Sequence, residues 1–183
     1  MFRSAAVAVV LVAALAATGC APDPAAPHTP APTSTPLFAS DEEALAAAEE
    51  AYAAYLAVAD QILADGGKAP ERLLKVATQA VLDSQIEGYA TAAKNGWVSK
   101  GRTVLDSVSL ERYDPHQIKE AISIYGCVDL TAVDVVDATG TSVVSPTRPN
   151  RSPFEITLDL VGTPASQLVV SGEKPWTGEN FCA

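Results

Sequence analysis

Ile122-Ser123-Ile124-Tyr125-Gly126-Cys127-Val128-Asp129-Leu130 is the stretch whose pattern decides the fold. Ile122, Ile124, Val128 and Leu130, with Gly126 in step, fall on one face, and Ser123, Tyr125, Cys127 and Asp129 fall on the other. Successive side chains of a strand point to opposite faces, so this period of two predicts a strand over 118–130. Weaker strand patterns surround it. Val104, Val108 and Leu110 alternate in part over 102–113, with a bulge expected near Leu105-Asp106. Val133–Val136 and Thr141–Val144 flank Asp137-Ala138-Thr139-Gly140 as a predicted hairpin. Phe154, Ile156, Leu158 and Leu160 alternate with polar residues, and Gly162-Thr163-Pro164 turns the chain into Gln167–Ser171.

Upstream of Trp97 the period changes to that of helices. Ser40 with Glu43 has the Ser-x-x-Glu form of a capping box, and Asp41, Glu42 and Glu43 suit the positive end of a helix dipole. Leu45, Ala48, Tyr52, Tyr55, Leu56, Ala59, Ile62 and Leu63 recur at steps of three and four, until Gly66-Gly67 stops the helix. A short second helix follows Pro70, and a third runs from about Thr78 to Lys94, ended by Asn95-Gly96. Helices first and strands afterwards argue for an α+β fold: three N-terminal helices on one face of a four- to five-stranded antiparallel sheet.

Before this domain stands a different kind of sequence. Ala5 to Ala17 is wholly apolar, follows the single positive charge of Arg3 and leads through Thr18-Gly19 to Cys20. Thirteen residues are too few to span a bilayer core, which needs about 20 in a helix. The run resembles a bacterial lipoprotein signal peptide. That resemblance implies cleavage of residues 1–19, lipid on the Cys20 thiol and attachment at the outer face of the cytoplasmic membrane. Two or more acyl chains give stable anchoring where one is marginal. Residues 20–40 then form a tether, since Pro22, Pro24, Pro27, Pro30, Pro32 and Pro36 alternate with small residues that cannot build a core. An extended polyproline conformation would reach about 60 Å at ~3.1 Å per residue. The remaining residues, 41–183, fit a single domain.

The chain carries a formal charge of −10, and loss of Arg3 with the signal makes it −11. Such a chain repels nucleic acid and anionic headgroups, so no nucleic-acid partner is expected. With Cys20 assigned to lipid on the resemblance, Cys127 and Cys182 are left as a pair. An exported domain and the lack of a Cys-x-x-Cys spacing predict a structural disulfide between them.

Three helices, several antiparallel strands and a terminal Trp176-Thr177-Gly178 to Phe181-Cys182 are similar to exported lipoproteins with a nuclear transport factor 2-like domain. The resemblance spans 41–183 and implies a bent, cone-like sheet around a long helix, with an apolar pocket at the wide end. Some members of that superfamily are isomerases or dehydratases that use Asp, His or Tyr in the pocket. Tyr52, Tyr55, Tyr125 and Asp129 are the residues here that can place polar groups in it. A tyrosine on an apolar helical stripe is ordinarily core with its hydroxyl at the edge, so no catalytic role is carried over. Trp97, in a loop-like stretch after the helix cap, is the candidate ligand contact. His116 lies in a turn, no ligand spacing suggests a metal, and no fingerprint suggests a cofactor. The leading expectation is a non-catalytic domain binding a small apolar ligand or an envelope protein. An isomerase or dehydratase and a homodimerising scaffold are the alternatives.

Overall fold

A long helix opens the fold because its first turn is capped from both directions. In the computed structural model, which describes residues 36–163 and 166–183, α1 spans Asp41–Ala64. Ser40 Oγ accepts from the Glu43 N–H at 3.2 Å, and Glu43 Oε2 accepts from the Ala39 N–H at 2.8 Å. The reciprocal bond thus reaches one residue further back than a capping box requires. Ser40→Ala is expected to cost about 1 kcal/mol, read as a lower urea midpoint with an unchanged slope. The signal run, Cys20 and the tether as far as residue 35 lie outside the described residues. The end of the predicted tether packs against the domain. Phe38 meets the Tyr113 ring edge-on at 5.8 Å, and the Tyr113 hydroxyl lies 3.2 Å from both its N–H and its carbonyl oxygen.

Gly66 and Gly67 turn the chain out of α1 at φ 73° and 75°. At Gly67 a Cβ would run into the carbonyl oxygen of Tyr89 on α2, Gln79–Asn95, so this glycine also lets the turn after α1 lie close against α2. The expected short helix is a 3₁₀ turn over Pro70–Lys75, and Gly96 at φ 65° ends α2 in the left-handed cap that Asn95-Gly96 predicts. No helix among the described residues is long and apolar enough to cross a membrane.

The strands are β1 (Val98–Lys100), β2 (Val104–Tyr113), β3 (Ile122–Asp129), β4 (Asp134–Val136), β5 (Arg151–Val161) and β6 (Gln167–Pro175). They form two antiparallel sheets rather than one. Four strands lie in the order β2-β3-β5-β6, and β1 pairs with β4 as a separate ribbon. The predicted hairpin at 133–144 shrinks to a single bridge between Val136 and Ser142. Asp137 Oδ1 takes up the N–H groups of Thr139 and Thr141 within the turn, and β4 gains its ladder on its other edge, from Val98–Lys100. The bulge expected in β2 is present, with register shifts after Asp106 and Leu110 and Ser107 at φ 51°.

The helices cover one face of the larger sheet. Ile122, Ile124, Ile156, Leu158 and Val170 are fully buried there against Tyr52, Ile62 and Leu73. Each such side chain contributes about 1.5–3 kcal/mol by leaving water. The opposite face of β3 is also largely buried, because the C-terminal tail folds back over it. Cys127 is bonded to Cys182, with 5.7 Å between their Cα atoms, and the Tyr125 ring lies 5.1 Å from that of Trp176.

Candidate functional site

Two of the expected polar groups meet, and they meet on a residue the sequence pattern does not flag. Tyr52 and Tyr55 are one helical turn apart on the core face of α1, with ring centroids separated by 5.4 Å. Both hydroxyls donate to the carboxylate of Glu173 on β6, one to each oxygen. Gln85 Nε2 on α2 lies 3.4 Å from the Tyr55 hydroxyl and from Glu173 Oε2. The cluster therefore ties α1, α2 and β6 together.

Glu173 reaches the core through a bulge. Thr157 pairs with Gly172 while Leu158 pairs with Val170, so Ser171 is an extra residue in β6. One extra residue reverses the alternation beyond it. Val170 and Glu173 then share the inner face, with Glu173 opposite the buried Ile156. Gly172 is the signal that could have shown this, since glycine inside a strand pattern marks a bulge or close approach. Its added Cβ would press on the Thr157 hydroxyl.

Tyr125 and Asp129 do not join the cluster. They lie on the other face of β3, Tyr125 against Trp176 and Asp129 accepting the Thr131 N–H at 2.7 Å. The Thr131 hydroxyl, followed by that bond, holds the Asp129 carboxyl below its ordinary value. Trp97 is half-buried behind the α2 cap, its main-chain N–H donating to the Ala92 carbonyl at 3.0 Å. Arg151, on the same outer face, donates to Asp106 across the sheet and to the carbonyl of Cys182. It thereby locks the tail to β2.

A cavity of about 740 Å³ lies elsewhere. It is a groove between α1 and the start of β2, with Leu56, Leu105 and Val108 at its base and Glu49, Glu50 and Arg102 on its rim. Tyr52, Tyr55, Gln85, Glu173 and Trp97 line neither this groove nor the four smaller ones.

No protein-family model matches the chain, and no curated protein matches it. Among solved structures it is similar to the intermembrane space region of the chloroplast protein ARC6, at 10% identity and a TM-score of 0.49, over 73% of this chain and 97% of that one. It is also similar to a de novo designed β-sheet protein, at 16% identity and a TM-score of 0.32, over 74% of this chain and 89% of that one.

The chemistry of the tyrosine cluster follows from its burial. Tyr52 and Tyr55 are 0% and 2% exposed, and desolvation, followed by the negative charge of Glu173, raises both phenols well above their ordinary range. Tyr89 is pushed up to about 12 by burial, with Glu173 and Asp60 adding to it. The hydroxyls are neutral donors already spent on a carboxylate. Because their folded pKa values are raised, their contribution to stability is complete below the ordinary phenol value and is lost as pH climbs past it. Stability is expected to fall above about pH 10, by about 1.4 kcal/mol per pH unit for each of Tyr52 and Tyr55. Urea melts across that range check this, and a flat profile would contradict it.

Proposed function

We propose that the chain is a lipoprotein, anchored through Cys20 at the outer face of the cytoplasmic membrane, whose domain binds a partner or ligand without transforming it. The finer description of the fold as a cone-like, nuclear transport factor 2-type sheet belongs to this proposal. The observation that carries the binding reading is the separation of the two sites. The polar cluster able to do acid-base work is closed and internally satisfied, whereas the open groove beside α1 has an apolar base, neither Cys nor His in its lining, and a Thr103–Asp60 pair whose groups are bonded to each other. Ligand sites have this character: a concave, mainly apolar surface of about 300–1,000 Å³ with a few polar groups to orient the guest.

Two measurements test it. Cys20→Ala is expected to move the protein from the membrane fraction to the soluble fraction and abolish labelling by a fatty-acid analogue; unchanged partition would remove the anchor. Thermal unfolding of the full chain against lipids, sterols, apolar dyes and envelope extracts should give at least one stabilising addition, which Ala53→Trp in the groove removes. A panel without any shift counts against binding.

The isomerase or dehydratase reading is favoured by one observation, the convergence of Tyr52 and Tyr55. An oxyanion site needs donors aimed at a substrate. Here the carboxylate occupies them, and conversion of a ketosteroid or hydroxyacyl substrate that disappears in Tyr55→Phe would be needed to revive it.

A further inference from the structure

We infer that the groove beside α1 receives an extended, cationic segment of a partner protein, which adds as a strand to the free edge of β2. This rests on the binding reading above and names its occupant.

β2 is an edge strand with β3 on one side and no partner on the other among the described residues. The opposite edge of the sheet is treated differently. Along β6, Thr78 donates its N–H to the Val170 carbonyl and Val170 donates its own to Val76, each at 2.9 Å, so the chain before α2 covers that edge. At the β2 edge the Thr103 N–H turns away from β3 and onto Asp60 Oδ2 of α1 at 2.8 Å. The free edge therefore faces the groove. On the two-residue alternation of a strand, Leu105 turns its N–H and carbonyl the same way.

The bulge sets the length of the occupant. Ser107 at φ 51° and the register shift from Asp106 to Ser109 interrupt the edge, which stops a second copy from pairing along all of β2. A short run remains at 103–105, beside the cavity; Val104 and Leu105 belong to β2, and of the Thr103 backbone the N–H is taken by Asp60. The helix wall opposite it offers Ala46, Ala53 and Ala57, all exposed and without side chain beyond Cβ, so an added backbone can lie close to α1. Strand addition supplies main-chain hydrogen bonds, and alternate side chains of the guest enter the groove; Val104, 52% exposed, is the apolar surface it would cover.

Charge selects the guest. Glu49 and Glu50 are exposed at the rim, while the Asp60 carboxylate is occupied by the Thr103 N–H and hydroxyl. Arg102 alone opposes them, and the whole chain carries −10. Another copy of this chain or an anionic membrane brings more negative charge to that rim, whereas a segment alternating Lys or Arg with apolar residues complements it.

The test uses the full chain extracted in detergent and a dye-labelled, end-blocked heptapeptide alternating Lys and Val, followed by fluorescence anisotropy. Binding is expected, about tenfold weaker for the Glu-Val counterpart, about tenfold weaker after N-methylation of alternate peptide nitrogens, and weaker in high salt. Glu49→Lys with Glu50→Lys should reverse the preference between the two peptides, and Ala53→Trp should remove binding of both. Equal binding of the N-methylated peptide overturns strand addition, and equal binding of the Glu-Val peptide overturns charge selection. If neither peptide binds while Nile red occupies the groove and is displaced by Ala53→Trp, this inference falls and the binding reading stands. If nothing binds, both fall.

Discussion

Glu173→Ala is expected to destabilise the domain by about 4 kcal/mol, a large part of the ~5–15 kcal/mol that holds a typical domain folded. The reason is an asymmetry between breaking a buried polar contact and removing it whole. The carboxylate accepts from Tyr52 and Tyr55, and alanine deletes two charge-assisted bonds, leaving the buried Tyr52 hydroxyl without a partner and the Tyr55 hydroxyl with Gln85 alone. A hydrogen bond to a charged group contributes about 1.5–3 kcal/mol, and an orphaned buried hydroxyl costs about 1–3 kcal/mol. Tyr52→Phe is gentler. It leaves Glu173 with Tyr55 and Gln85, and a loss of about 2 kcal/mol is expected. The triple variant Tyr52→Phe, Tyr55→Phe, Glu173→Met exchanges the whole cluster for apolar packing and should recover most of what Glu173→Ala loses. Urea midpoints of these variants decide the matter. If Glu173→Ala costs under about 1 kcal/mol, or the triple variant is no more stable than the single one, the cluster does not hold the helices to the sheet.

That cluster also shows where sequence reading stops. Tyr52 and Tyr55 are legible because they sit on an unbroken helical stripe, which Ser40 and Glu43 start and Gly66-Gly67 ends. The inner face of β3 is legible for the same reason, a regular period over eight residues. Glu173 is not, since a single extra residue at Ser171 reverses the faces of β6 and the alternation seen up to Val170 points the carboxylate to the wrong side. β1 escapes for a different reason. Three residues carry no measurable period, and its partner β4 lies 34 residues or more further along, so nothing local announces the pair. The outer face of β3 misleads by composition. Ser123, Tyr125, Cys127 and Asp129 read as a solvent face, yet Ser123 is 1% exposed and Cys127 fully buried. A tail more than forty residues downstream contributes to that cover, which no pattern within β3 can encode.

Replacing Cys127 and Cys182 together by serine is expected to lower stability by about 4 kcal/mol while leaving the helices and the four-stranded sheet in place. The bridge joins residues 55 apart, and in the chain-entropy account closing a loop of that length removes disorder chiefly from the unfolded chain. The native core has little part in it. Tyr52, Ile124, Ile156 and Leu158 pack on the helix side of the sheet, and the disulfide lies on the other. For a domain of this size ~4 kcal/mol corresponds to a fall in melting temperature of about 10–15 °C. What changes in the native state is the tail. The Trp176 N–H donates to Pro153 at 2.9 Å within the sheet, so the chain should stay paired to that point and come loose beyond it, where the bridge and the Arg151 bond to the Cys182 carbonyl hold the last residues. Trp176, packed on Tyr125, sits at the junction and reports the release. Circular dichroism should keep its far-ultraviolet signal while tryptophan emission shifts toward that of an exposed ring, and wild-type protein melted with reductant should match the double variant. A melting temperature within about 3 °C of wild type would mean that the tail is held by its packing and by Arg151 rather than by the disulfide.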